Sequence, residues 1–456
     1  MGQGREIACR GRAVKRGSLV PLAWAVATAA SAEPPALMLS GEVRARIEEI
    51  DNQARAGVAE AESLFNLRTI VNLTVGRGPV RIGGTLIDSR IYAPGPRSAA
   101  TTNEVNALEP VQAWAAVDLD GRLGAGSRLK VAGGRFTMDV GSRRLIANDD
   151  YRNTTNAFTG LKADWSTKAG WSGTAFYTLP QIRLPEDGPS VRRNAVRIDR
   201  EGFDFRLAGF LVARSGLPGR TIAEVAAYRL DERDLPDRAT RDRHLTSLTA
   251  RLVRPPAPGT VHFEAEYIRQ TGSIRESLAP AAARRAVGAW FAHASVGYSW
   301  PLPWQPRLTL EYDQASGDRR QGRYNRFDTL FGMRRADLGP AGLYFAIGRT
   351  NLLSPAVRLE VAPTKRLDAF VAWRGLWLAS PNDAFSSTGV RDATGAAGRH
   401  AGNEIDARVR WWAVPRRLRL EADGTYLAKG RFYRLAPNSP GAADTRYWSL
   451  NATTFF

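Results

Sequence analysis

The sequence predicts an all-β fold, a transmembrane antiparallel up-and-down β-barrel of 16 to 18 strands. Three observations carry this expectation. Apolar residues alternate with charged ones at period two over segment after segment, a basic and then apolar leader opens the chain, and the final segment alternates up to a terminal aromatic residue.

The alternation comes first. Val261, Phe263, Ala265 and Tyr267 share one strand face, with His262, Glu264 and Glu266 on the other. Leu308, Leu310 and Tyr312 oppose Arg307, Thr309, Glu311 and Asp313, and Ile405, Ala407, Val409 and Trp411 oppose Glu404, Asp406, Arg408 and Arg410. Leu418, Leu420, Ala422, Gly424 and Tyr426 oppose Arg417, Arg419, Glu421, Asp423 and Thr425; near the start, Val43, Ala45 and Ile47 oppose Arg44, Arg46 and Glu48. A soluble sandwich alternates too, but its polar face meets bulk water and does not require dense charge on strand after strand. A wall between lipid and a wet lumen needs apolar outside and polar inside over about 9 to 11 residues per strand.

Turn signals divide the segments. Short breaks fall at Pro301 to Pro306, Ala362 to Lys365 and Val414 to Arg416. Long polar or Gly/Pro-rich stretches occupy 87–105, 183–200, 231–243, 270–285, 314–327, 378–402 and 429–445. A meander with short turns at one end and long loops at the other has this rhythm.

The leader holds Arg5, Arg10, Arg12, Lys15 and Arg16 before the apolar run 18–32, which closes on Ala30-Ser31-Ala32. The expectation is a signal peptide over 1–32, cleaved before Glu33, with the barrel over 33–456. The run is shorter than the roughly 20 apolar residues of a permanent span; an uncleaved anchor is the alternative. Cys9 follows Glu6-Ile7-Ala8 rather than an apolar stretch, which argues against a lipoprotein signal. At the other end, Trp448, Leu450, Ala452, Thr454 and Phe456 share one face, the pattern that barrels present to their assembly machinery.

Composition bounds the function. The 456 residues carry a formal charge of +19, and only six of the 64 basic side chains are Lys, so arginine dominates. Guanidinium groups stay ionised and fork onto carboxylate or phosphate oxygens. The single cysteine and four dispersed histidines (His244, His262, His293, His400) lack ligand spacing, so no metal and no cofactor are expected. Nucleic-acid binding lacks a matching module, and a plugged 22-stranded transporter needs a longer chain. His293 and Ser295 share one strand face, and outer-membrane phospholipases use a strand-borne histidine and serine, but Ala292, Ala294, Val296 and Tyr298 hold the opposite face, so His293 points inward rather than to lipid, and the sequence identifies no third group to orient it. No catalytic residue is assigned and the chain is read as no enzyme.

The segments GRFTMDVGSRRLI (134–146), RNTTNAFTGLKADW (152–165), LEYDQASGD (310–318), RFDTLFG (326–332) and GRTNLLSPAVRLEVAPTKRLDAFVAW (348–373) resemble the alginate export family of outer-membrane barrels. The similarity spans roughly 40 to 456. It implies eighteen strands in the outer membrane of a Gram-negative bacterium, and an arginine-rich lumen for a polyuronate, balanced by carboxylates. Arg135, in the family's Gly-Arg element, is implied to face the lumen; Asp313 and Asp318 sit in its Tyr-Asp and Ser-Gly-Asp elements. Phe136 departs from the family's usual Gly-Arg-Gln.

The candidate lumen-facing pathway is Arg135, Arg44, Arg46, Lys162, Arg307, Arg358, Arg408, Arg410, Arg417 and Arg419, interspersed with Glu311, Asp313, Glu360, Glu404 and Asp406. Conduction needs weak, multiple binding, which mixed charge provides; salt-bridge ladders that only fill the interior are the competing reading. The expected function is an outer-membrane channel for an anionic solute, a polyuronate or acidic oligosaccharide first, with a general anion-preferring or small-molecule porin as the alternative. Expected partners are an anionic polysaccharide or small anionic solute, outer-membrane lipid, lipopolysaccharide (through Arg319, Arg320 and Arg323) and the barrel assembly machinery, around a monomer. Trp300, Trp304, Trp411, Trp412, Trp448 and Tyr447 are expected in interfacial girdles, with sugar stacking as the alternative.

Overall fold

The computed structural model describes residues 37–235, 237–319, 322–335 and 337–456, so the expected signal peptide lies outside the described residues. Eighteen strands form among them: β1 (Leu37–Asp51), β2 (Glu62–Arg77), β3 (Val80–Tyr92), β4 (Asn106–Asp118), β5 (Arg128–Phe136), β6 (Phe158–Ser166), β7 (Trp171–Pro180), β8 (Phe205–Leu217), β9 (Thr221–Glu232), β10 (His244–Arg254), β11 (Thr260–Arg275), β12 (Arg284–Ser299), β13 (Arg307–Ala315), β14 (Leu352–Thr364), β15 (Leu367–Trp377), β16 (His400–Val414), β17 (Leu418–Lys429) and β18 (Thr445–Phe455). Each pairs antiparallel with its chain neighbours, and β1 also pairs with β18, which closes the sheet into a barrel. The main-chain groups of Gly41 and Phe456 exchange bonds of 2.9 and 3.1 Å, extending that seam to the last residue. Closure removes the unpaired edge that a bilayer would not tolerate.

The period-two pattern sorts the side chains as expected. Leu308, Leu310, Ile405, Val409, Trp411, Trp448 and Leu450 are exposed on the outer face, while Asp313, Glu404, Asp406, Ser449 and Asn451 on the alternate positions are buried inside. Tyr447 departs from the girdle expectation: it lies inside, its hydroxyl donating to Glu48 at 2.8 Å. Trp412 pairs in register with Arg419 and packs 5.3 Å from Phe455, on the face opposite the exposed Trp411.

Connections alternate between the rims. Mostly short turns at 78–79, 119–127, 167–170, 218–220, 255–259, 300–306, 365–366 and 415–417 share one rim; mostly longer loops at 52–61, 93–105, 137–157, 181–204, 233–243, 276–283, 316–351, 378–399 and 430–444 share the other, the extracellular one in such barrels. Two differences from the sequence reading matter. The loop after β13 runs to 351 rather than ending near 327, and 137–157 is a loop that the polarity of the sequence did not announce. Residues 87–92 and 270–275 belong to strands.

Candidate functional site

These two loops, one unforeseen and one foreseen only to 327, fold into the barrel and bind each other. The main chain of Phe331 donates to Leu145 O at 2.9 Å and accepts from Ala147 N at 3.1 Å. Arg144 Nε meets Asp337 Oδ2 at 2.7 Å, and its Nη1 reaches the wall carboxylates Glu264 and, at 2.5 Å, Glu266. Arg349 also pairs with Asp337. Burial acts to raise the Asp337 pKa, but the Arg144 and Arg349 guanidiniums hold it well below the usual carboxylate range. On the far wall Arg335 bridges Asp406, at 2.6 Å, and Asp423. Tyr344 donates to Glu404, beside which Arg374 stands at 3.4 Å. Apolar loop residues such as Leu338, Leu343, Tyr344 and Ile347 are fully buried in the interior.

The predicted residues divide into those that hold these loops and those that line open space. Arg44 donates to the carbonyls of Asp150 (3.2 Å) and Arg152 (2.6 Å), Arg46 to that of Tyr151 (2.8 Å), and the unpredicted Arg68 to Asp150 (3.0 Å) and Arg152 (2.8 Å). Three wall guanidiniums thus grip three successive loop carbonyls. Arg44 and Arg68 lie directly opposite each other in register, and Glu42, paired with Arg68, helps offset the like charges. Asp313 is bound by His293 at 2.8 Å, and Glu404 and Asp406 are engaged by the loop. Arg44, Arg46, Asp313, Glu404 and Asp406 are all buried, so they act as anchors and not as an exposed lining.

A second group is only partly buried, toward the short-turn rim. On β13 to β17, Arg307 bonds Glu360 at 2.5 Å, Arg358 reaches the same carboxylate at 3.3 Å, and Arg408 and Arg410 share Asp368 at 3.4 and 3.0 Å. The Arg358 and Arg408 guanidiniums lie 3.7 and 5.0 Å from the centre of the Phe370 ring. Arg419 stands over Phe455 and Trp412 at 5.4 and 5.8 Å. Register carries the band onward through Thr453 to Arg44 and Arg68. Five guanidiniums, counting Arg419, against Glu360, Asp368 and Glu421, which stands opposite Arg410 in register, leave a local positive excess. The wall at β9 to β11 carries Glu224, Glu264 and Glu266, with Arg251 between Glu224 and Glu264 at 3.0 and 2.9 Å. Lys162 pairs with Asp164 at 2.9 Å. Glu311 keeps one buried carboxylate oxygen without a hydrogen-bond partner among the described residues.

Two predicted residues sit elsewhere. Arg417 is exposed in the turn 415–417, not on a strand face, because β17 starts only at Leu418. Arg135 pairs with Thr159 in the row where Gly133 faces Leu161, which is 64% exposed outside. This parity corrects the lumen-facing expectation. Gly134, at φ 113°, bends the strand there, and a Cβ would lie 2.4 Å from Ala113 O. Where β4 and β5 part, Arg135 is clamped by Glu109 at 2.6 Å and Glu201 at 2.8 Å. Arg319 and Arg323 are exposed on the loop rim; Arg320 lies outside the described residues. Sequence reasoning missed Arg68, Arg144, Arg335, Asp337 and Arg374. The paired arginines at 143–144 and 334–335, set in otherwise apolar stretches, were the available signal.

Several solved barrels share this architecture. OccAB1 of Acinetobacter baumannii is 14% identical, with TM-score 0.58, over 92% of this chain and 96% of that one. OpdK of Pseudomonas aeruginosa with vanillate is 12% identical, TM-score 0.56, over 92% and 98%. OccK2 (OpdF) of Pseudomonas aeruginosa in complex with glucuronate is 13% identical, TM-score 0.53, over 92% and 98%. No curated protein matches the chain. The sequence pattern of the alginate export family matches residues 36–446, nearly the whole length. The chain therefore belongs to the alginate export family and is an outer-membrane β-barrel of a Gram-negative bacterium.

Proposed function

We propose that this barrel is a passive channel for anionic solutes, with polyuronates and acidic oligosaccharides as the first class. The observation that carries the reading is the band of Arg307, Arg358, Arg408, Arg410 and Arg419, where Glu360 and Asp368 serve four guanidiniums. Low-dielectric walls focus the field of such a band onto the lumen and concentrate anions there. The interspersed carboxylates keep each binding step weak enough for release. The buried Phe370 ring carries the Arg358 and Arg408 guanidiniums and so holds the band in place. OpdK and OccK2 were solved with vanillate and glucuronate, both carboxylates, which supports the charge preference.

A general anion-preferring porin is the second reading, favoured by one observation: loops 137–157 and 316–351 fill much of the interior, which suits small solutes better than a polymer. On either reading the barrel catalyses nothing, and the buried His293 and Asp313 pair belongs to the wall. The proposal includes a leader over 1–32 cleaved on export, a monomer inserted by the barrel assembly machinery, and rim arginines that meet lipopolysaccharide phosphates.

Liposome swelling separates the two. Faster swelling in uronate dimers and trimers than in neutral sugars of equal size supports the first reading. Uptake of chloride and monocarboxylates alone supports the second, and no uptake of any solute rejects both.

A further inference from the structure

Between the wall at β10 to β12 and the in-folded loop 316–351, on the long-loop side, lies an open cavity of about 380 Å³. Its walls combine apolar and cationic surface. Leu245, Ile274, Val287 and Phe327 are almost fully buried beneath it, and four of its arginines differ in how their charge is met. Arg243 is neutralised by Glu232 through two bonds of 2.8 Å and by Asp328 at 2.8 Å, and Arg326 by Asp383 at 2.7 Å. Arg241 and Arg334 form no ion pair with a carboxylate among the described residues, although Asp328 and Asp149 stand near enough to act on them. Arg241 donates to Arg275 O at 2.9 Å, Glu276 O at 3.2 Å and the Tyr324 hydroxyl at 3.0 Å, with its guanidinium 4.8 Å from the centre of that ring. Arg334 lies 3.6 Å from the centre of the Phe345 ring and donates only weakly, at 3.3 and 3.4 Å, to two loop carbonyls. Burial, with a smaller push from nearby Arg349, Arg152 and Arg55 and against the pull of Asp149, presses the Arg334 pKa down to about 9.

Resting on the anion-channel reading above, we infer that this cavity is a capture site for a compact six-membered ring bearing one carboxylate, placed ahead of the arginine band. The two guanidiniums without an ion-pair partner supply charge-assisted bonds to the anion, while Phe327 and the aliphatic floor cover one face of the ring. The volume is at the lower end of small-molecule sites and holds a single ring with its carboxylate rather than a folded chain. Both a sugar acid and an aryl acid present this chemistry.

Calorimetric titration of the full-length barrel in detergent with glucuronate, benzoate and glucose tests the site, alongside the variants Arg241→Gln and Arg334→Gln. Binding of glucuronate, benzoate or both, but not glucose, weakened about tenfold or more in either variant, is the expected result. Glucuronate alone would assign a sugar acid, and benzoate alone an aryl acid. The resistance of the unheated barrel to detergent unfolding shows that each variant is folded; if Arg334→Gln is not, Arg241→Gln decides. No binding of either acid, or binding unchanged in the folded variants, overturns the site. Reversal potentials on the same proteins report the anion channel separately, since the band on β13 to β17 is intact in both variants.

Discussion

Arg144 Nε lies 2.7 Å from Asp337 Oδ2, although the two residues are 193 positions apart and belong to different loops. With Glu264 and Glu266 on the wall, the pair makes one buried cluster that ties 137–157 and 316–351 to each other and to β11. Arg144→Ala would leave three carboxylates around one vacated position, a loss of about 3 to 5 kcal/mol for a buried pair broken on one side. The expected phenotype is a lower unfolding temperature together with larger and noisier single-channel conductance. A variant with wild-type conductance and stability would show that the loops are held by something else.

Selectivity is expected to follow position on the lumenal band rather than arginine content. Arg358→Glu combined with Arg408→Glu places carboxylates in the lumenal band beside Phe370, and the permeability ratio for chloride over potassium should fall several-fold. Arg135→Glu should leave that ratio alone and lower the unfolding temperature, because it puts a third carboxylate against Glu109 and Glu201. The opposite assignment of effects would place the pathway along β5.

The outer loops carry a pH dependence of defined sign. Burial raises the carboxyl of Glu104, in the loop 93–105, to about 7, and that of Asp199, in the loop 181–204, to about 6. Both therefore bind protons more tightly folded than unfolded. Their contribution to stability is complete below the ordinary carboxylate range and is lost as pH rises through about 6 and 7. Unfolding temperature measured from pH 5 to 8 should decline, and Glu104→Gln with Asp199→Asn should flatten that decline. A slope that persists in the double variant would assign it to other groups.

The wall was legible in the sequence because lipid and lumen impose a period of two on every strand, as Leu308, Leu310 and Tyr312 against Thr309, Glu311 and Asp313 illustrate. The closing strand was legible for the same reason through Trp448 and Leu450. The interior was not. Residues 338–347 read as apolar because that part of the loop is buried inside the barrel, so the usual polarity of loops gives no warning. Ion-pair partners were not legible from single strands for a geometric reason. Asp406 and Arg408 share a face but stand two residues apart along the strand, roughly 6.6 Å, whereas cross-strand neighbours approach to about 5 Å. Arg408 accordingly turns to Asp368 on β15, and Asp406 takes Arg335 from the in-folded loop. Arg135 looked like a lumen residue from its motif, but Gly134 and the parting of β4 from β5 set it in a seam.

The most direct test of the central claim, an open path governed by the arginine band, is the reversal potential of the purified wild-type protein in a planar bilayer under a potassium chloride gradient. A conducting pore whose reversal potential has the sign of chloride preference, declining as salt screens the band, is the predicted result. A silent bilayer, or a reversal potential of the cation-selective sign, would contradict it.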